Sequence, residues 1–228
     1  MNQNFIEKFD KTEKRKGFIL LILYLFAITL GVSVLELTNS SFLVDNATFV
    51  WYGILFIVTI VSFFGVVKDS IINVKDKKSF FSKNMSSLLM IGFATMIFMV
   101  IVAILIDKFG VINQNEVDVD SALDSQGIWM LIPSILFAPI AEEFVYRYFI
   151  FRTIRNYNML LSHFITAFLF GFSHVWFDVI VQGNLLSIFA LLPTFCLGLG
   201  CTISYEKTKS IIFPIALHMA LNIIASTS

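Results

Sequence analysis

Seven apolar runs, several of them close to 20 residues long, constrain this chain more than any other feature. A bilayer's hydrocarbon core is about 30 Å thick and takes about 20 apolar residues of helix to cross. Within it every backbone N–H and C=O must find its partner inside the segment, which leaves helices or a closed barrel. The runs are continuous rather than alternating, so helices are expected, at roughly Gly17–Leu35, Ala47–Val67, Ser87–Ile106, Gly127–Ile150, Met159–Trp176, Leu185–Ser204 and Ile211–Ala225. Composition agrees: of 228 residues, 57% are hydrophobic and 14% charged, against about 45–50% and about 25% in a soluble domain. The expected fold is an all-α polytopic membrane bundle of about seven helices, six to eight, in a cell membrane. The fourth run is the least regular, because charge interrupts it.

Charge orders the loops. Lys and Arg crowd the N-terminus (Lys8, Lys11, Lys14, Arg15, Lys16), the second loop (Lys68, Lys75, Lys77, Lys78, Lys83), the fourth (Arg152, Arg155) and the sixth (Lys207, Lys209). The third loop is acidic, with Asp107, Glu116, Asp118, Asp120 and Asp124. By the positive-inside rule the N-terminus is cytoplasmic and, with seven helices, the C-terminus is outside. Sixteen basic residues balance sixteen acidic ones, so no net field draws a polyanion and no nucleic-acid partner is expected. Cys196 and Cys201 lie inside one apolar run and read as small core residues.

Ionisable groups inside a span cost roughly 2.5–3.5 kcal/mol each at the centre, and those retained tend to be functional. They concentrate in three places: Glu142, Glu143 and Arg147 in the fourth run, Ser173 and His174 in the fifth, His218 and Asn222 in the seventh. Glu143 and Arg147, four apart, share a helix face and can pair. Glu142 is turned about 100° from them. A carboxyl in a low-dielectric setting suits a general base. Counted at about 1.5 Å per residue from the basic ends of their helices, Glu142 lies about 20 Å deep, His174 about 24 Å and His218 about 14 Å. One carboxylate, two imidazoles and an amide can thus share a slab of the bilayer. His163, near the fourth loop, reads as interfacial. Tyr146, Tyr148, Trp129 and Trp176 read as belt aromatics. Pro133, Pro139, Pro193 and Pro214 are expected to kink or break their helices, opening room for water.

In order, these segments read Glu142-Glu143-x-x-x-Arg147, Phe170-x-x-x-His174 and His218-x-x-x-Asn222. They resemble the CAAX protease and bacteriocin-processing family, the Abi or type II CAAX endopeptidase-like intramembrane glutamate proteases. The resemblance covers about residues 127–226, with no departure at a motif position. It divides the chain into N-terminal helices without signature (1–126) and catalytic helices (127–228). It implies a peptidase in which Glu142 and His174 activate water, and His218 and Asn222 donate hydrogen bonds to the oxyanion. Glu143 and Arg147 brace the helix, with Phe170 in support. No cofactor is implied. One carboxylate and two histidines also make a zinc set, the lesser alternative, since no His-Glu-x-x-His element is present.

The implied partners are the lipid bilayer and a peptide or lipid-modified protein substrate. A prenylated Cys motif, a bacteriocin leader and a pheromone precursor are equally compatible with these residues. Two other functions compete: a non-enzymatic membrane binding or bacteriocin-immunity protein, and a proton-coupled transporter. Against the transporter, no repeat pairs the two halves of the chain.

Overall fold

A computed structural model describes residues 9–76 and 78–227, and side chains 73–84 lie outside that description. Lys8 and Lys77 of the basic loops, and the side chains of Lys75, Lys78 and Lys83, therefore lie outside the described residues. Among the described residues the chain is helical throughout, without strands. It runs α1 (Lys11–Glu36), α2 (Ser41–Asp45), α3 (Ala47–Ser62), α4 (Phe64–Asp76), α5 (Lys78–Lys108) and α6 (Gln114–Gln126). The next helix, α7 (Ile128–Arg155), is continuous but mixed, passing through π-helical turns at Pro133–Phe137 and Phe144–Phe151. Then come α8 (Met159–Phe172), short turns at Phe177–Val181 and Leu185–Ala190, α9 (Leu191–Thr208) and α10 (Ile212–Ala225).

All seven apolar runs are helical, but they differ in reach. Four spans are long and apolar enough to cross a membrane: Lys11–Glu36, Met85–Lys108, Ile128–Arg155 and Leu185–Thr208. The second run is not one straight helix. It bends by 72° between α3 and α4, at Phe63, whose ring is buried. The carbonyl of Ser62 at this bend accepts from Lys16 Nζ at 2.8 Å, which satisfies a helix-end acceptor. At 14 residues each, α8 and α10 extend only about 21 Å. Helix starts carry the expected caps: Asp10 accepts from Glu13 N, Ser40 from Leu43 N and Asn158 from Leu161 N.

Two of the four prolines do not break a helix. Pro193 and Pro214 each stand third in α9 and α10, in the first turn, where the missing N–H has no helical partner to lose. Pro133 and Pro139 do perturb α7, as described below.

The exterior is apolar and the interior holds the polar groups, the inverse of a soluble protein. Phe18, Ile22, Phe93, Phe98, Ile104, Phe164 and Phe168 face outward, whereas Glu142, Glu143, Arg147 and His218 are buried. That surface is suited to lipid. Tyr146 and Tyr148 are buried core residues and not belt aromatics, because their helix runs through the middle of the bundle, against α1, α8 and α9.

Helices α8 and α9 approach closely at two glycines. A Cβ on Gly198 would lie 2.9 Å from Ala167 Cα, and one on Gly171 would lie 2.9 Å from Leu191 O. Both contacts are with atoms that cannot turn away. Gly198→Ala is therefore expected to lower stability by about 1–3 kcal/mol, read as a lower unfolding temperature in detergent. Gly65→Ala, which meets nothing within 4 Å, is the control.

Candidate active site

The site is built around one buried guanidinium. Arg147 and Glu143 are both fully enclosed and pair at 2.8 Å. A charge so placed persists only when paired and hydrogen-bonded. Arg147 Nη2 also donates to Gly198 O at 3.1 Å, and its guanidinium lies 4.5 Å from the centroid of the Phe170 ring. Phe170 is fully buried and works as a common wall: the rings of His174, Tyr146 and His218 lie 4.9, 5.1 and 5.5 Å from it.

His218, reaching in from α10, joins the two glutamates. Its Nδ1 lies 2.9 Å from Glu143 Oε1, and its Nε2 lies 3.9 Å from Glu142 Oε2. The expectation that Glu143 and Arg147 form a separate pair facing away from Glu142 is thus corrected. Adjacent residues do diverge around the helix, but an imidazole from a third helix spans the divergence. The Glu143 carboxylate, paired with Arg147, is an acceptor, so His218 Nδ1 is the donor between them. In neutral His218 the Nε2 facing Glu142 is then an acceptor, and it donates only as imidazolium.

Glu142 receives its other contacts from the N-terminal helices. Tyr52 of α3 donates to Glu142 Oε1 at 2.8 Å, and Tyr24 of α1 makes a long contact of 3.5 Å with the same oxygen. Tyr24 also reaches Ser173 Oγ at 3.4 Å. Sequence reasoning missed both tyrosines. The available signal was a phenol inside each run, which in an apolar setting needs a partner.

His174 stands beyond the end of α8 in a turn, half-buried. Its Nδ1 lies 2.8 Å from Phe170 O. A carbonyl only accepts, so Nδ1 holds the proton and Nε2 is the free nitrogen of the neutral ring. Among the described residues no hydrogen bond joins His174 to Glu142; they communicate through Tyr24 and Ser173, whose Oγ lies 3.4 Å from His174 Nδ1. His163 lies outside this set, against Thr202 Oγ1 at 2.8 Å. Asp178, beyond α8, has its carboxyl pushed up from the usual range by burial, with a smaller contribution from Asp118.

Asn222 makes a bond that a proline creates. The N–H of Ala138 reaches back five residues to Pro133 O. Ser134 O would then take the next N–H, but residue 139 is proline and has none. Asn222 Nδ2 donates to that carbonyl at 2.9 Å. One N–H of its amide is thereby used to fasten α10 to α7, and a second remains. Cys201 is buried, Cys196 half-buried, and both are free thiols. Among the described residues no three His, Cys, Asp or Glu side chains group to hold a metal ion.

Taken with its apolar exterior, this arrangement defines a helical membrane protein whose bundle encloses carboxylate and imidazole groups. Residues 124–224 match the sequence model of the family described as type II CAAX prenyl endopeptidase Rce1-like, the family that the three motifs resemble. The match supports a peptidase. Comparison with curated proteins and with solved structures found no match.

Because Arg147 is fully enclosed, Arg147→Met leaves Glu143 as an uncompensated buried charge. A loss of about 3–5 kcal/mol is expected, measured by thermal or denaturant unfolding in detergent. The double variant Glu143→Gln/Arg147→Met should recover part of it, since neither charge then remains.

Proposed function

We propose that this chain is an intramembrane endopeptidase that hydrolyses a peptide bond in a peptide precursor or lipid-modified protein, and that Glu142, His174, His218 and Asn222 carry the reaction. The observation that supports it most is the state of Glu142, a buried carboxylate held on one oxygen by phenols while the other faces an imidazole. Residues 127–228 supply the reacting groups, and residues 1–126 supply the helices that close around them.

In this reaction Glu142 takes one proton from water, whose other hydrogen is accepted by the free Nε2 of His174, as the water oxygen attacks the scissile carbonyl carbon. The carbonyl oxygen becomes an oxyanion, to which the second N–H of Asn222 and the Nε2–H of imidazolium His218 donate. The tetrahedral carbon then expels the amine, which takes up the transferred proton. Glu143 and Arg147 hold His218 and Phe170 in place. No metal enters any of these steps. The basic end of the bundle, with Arg152, Arg155, Lys207 and Lys209, faces the cytoplasm under this reading.

The test is cleavage of a mixed pool of leader peptides and prenylated Cys-motif peptides by the purified protein in lipid, read by mass spectrometry. Glu142→Ala and His174→Ala are expected to abolish products while inserting and unfolding as the parent does. Asn222→Ala should lower kcat by roughly 10²–10³, as for loss of an oxyanion donor. A chelator should change nothing. Parent-level cleavage by Glu142→Ala would falsify this mechanism, and loss of cleavage with the chelator would replace it by a metal-dependent one.

A further inference from the structure

The residues that match the family begin at 124, yet the shortest hydrogen bond to Glu142 comes from residue 52. We propose that Tyr52 is a positioning residue for Glu142, keeping its second oxygen apart from His218 so that a water can lie between them. The proposal rests on the peptidase reading above and adds to it a part for the N-terminal helices.

A carboxylate buried among apolar groups turns toward the nearest cation or donor it can reach. For Glu142 Oε2 that neighbour is His218 Nε2, a donor when the ring is imidazolium, 3.9 Å away. This is too long for a direct hydrogen bond, yet one water at about 2.8 Å from each could touch both. Closing the gap would form a direct Glu142–His218 pair and remove both groups from the water. Tyr52 opposes that movement. Its hydroxyl donates to Oε1 at 2.8 Å, a charge-assisted bond of the stronger kind, and so tethers the oxygen that does not face His218.

Tyr24 does not duplicate it. At 3.5 Å from Oε1 and 3.4 Å from Ser173 Oγ, its single hydroxyl is shared and its contact with Glu142 is weak. The Tyr146 ring lies edge-on to that of Tyr24, centroids 5.7 Å apart, and completes the cluster. The groups facing Glu142 are therefore Tyr24 of α1, Tyr52 of α3, Tyr146 of its own helix, Ser173 after α8, and His218 of α10. Tyr52 has the one short bond, and it is half-buried, so removing its hydroxyl leaves a small change in packing.

The experiment uses the full-length protein in lipid with Tyr52→Phe, which keeps the ring and deletes the donor, and with 4-aminophenylalanine at position 52, which restores one. Two readouts run together. Infrared difference spectroscopy follows the carboxyl band that Glu142→Gln removes. Cleavage of whichever pool peptide the parent cuts gives kcat and KM. Tyr52→Phe should shift the Glu142 band and lower kcat roughly 10–100-fold, the cost of one hydrogen bond to a charged group. KM and unfolding temperature should stay put, and the amino analogue should restore much of both signals. An unshifted band, or a parent-level kcat, overturns the proposal. So does a fall in kcat matched by a fall in unfolding temperature, which would make Tyr52 a packing residue only. If the parent cuts nothing, the peptidase reading loses its support while the band still decides whether Tyr52 holds Glu142.

Discussion

A single positive charge enclosed on all sides by protein sets the terms for the rest of the structure. Arg147 has no route to solvent, so four helices must arrange themselves to satisfy it. Glu143, one turn back on α7, neutralises it; Gly198 of α9 offers a backbone carbonyl; Phe170 of α8 lies under the guanidinium. Gly198 reaches that position because it lacks a Cβ, the same property that lets α9 lie against Ala167 of α8. His218 then reaches Glu143 and brings α10 into the same network. Removing one member leaves a charge or dipole unpaired in a low dielectric, so the network persists as a unit.

The irregular backbone of α7 follows from its prolines and is used by the site. Where Pro139 denies Ser134 O a helical donor, Asn222 supplies one from α10. That bond and the His218–Glu143 bond lie one turn apart on α10 and fix its rotation against α7. The π-helical turn from Phe144 to Phe151 follows directly after the glutamates. Such turns are often found at functional sites, because the extra residue redirects the side chains on either side of it.

The N-terminal helices have a different relation to the site. They carry much of the outward apolar surface, and two of them also send one phenol inward, Tyr24 from α1 and Tyr52 from α3. A half that holds no recognised signature is therefore in direct contact with the Glu142 carboxylate of the other half. The boundary near residue 126 separates regions of different sequence character, but the hydrogen bonds cross it.

Sequence alone determined the helical membrane architecture, because only continuous apolar runs of bilayer length satisfy both lipid and backbone. It also determined the Glu143–Arg147 pair, whose four-residue spacing is a local property of any helix, and the small set of polar residues that belong together inside the bundle. It did not reveal that α3 and α4 bend at Phe63, that α8 and α10 fall short of a full span, or that Pro193 and Pro214 begin helices. Those features depend on where each helix starts, and tertiary contacts decide that. Nor could spacing along the chain show that His218 bridges both glutamates, that Asn222 mends a proline's gap, or that Tyr24 and Tyr52 hold Glu142. Each is a contact between residues 88 to 118 positions apart or on unlinked helices. Such pairings exist only once the helices have packed against one another.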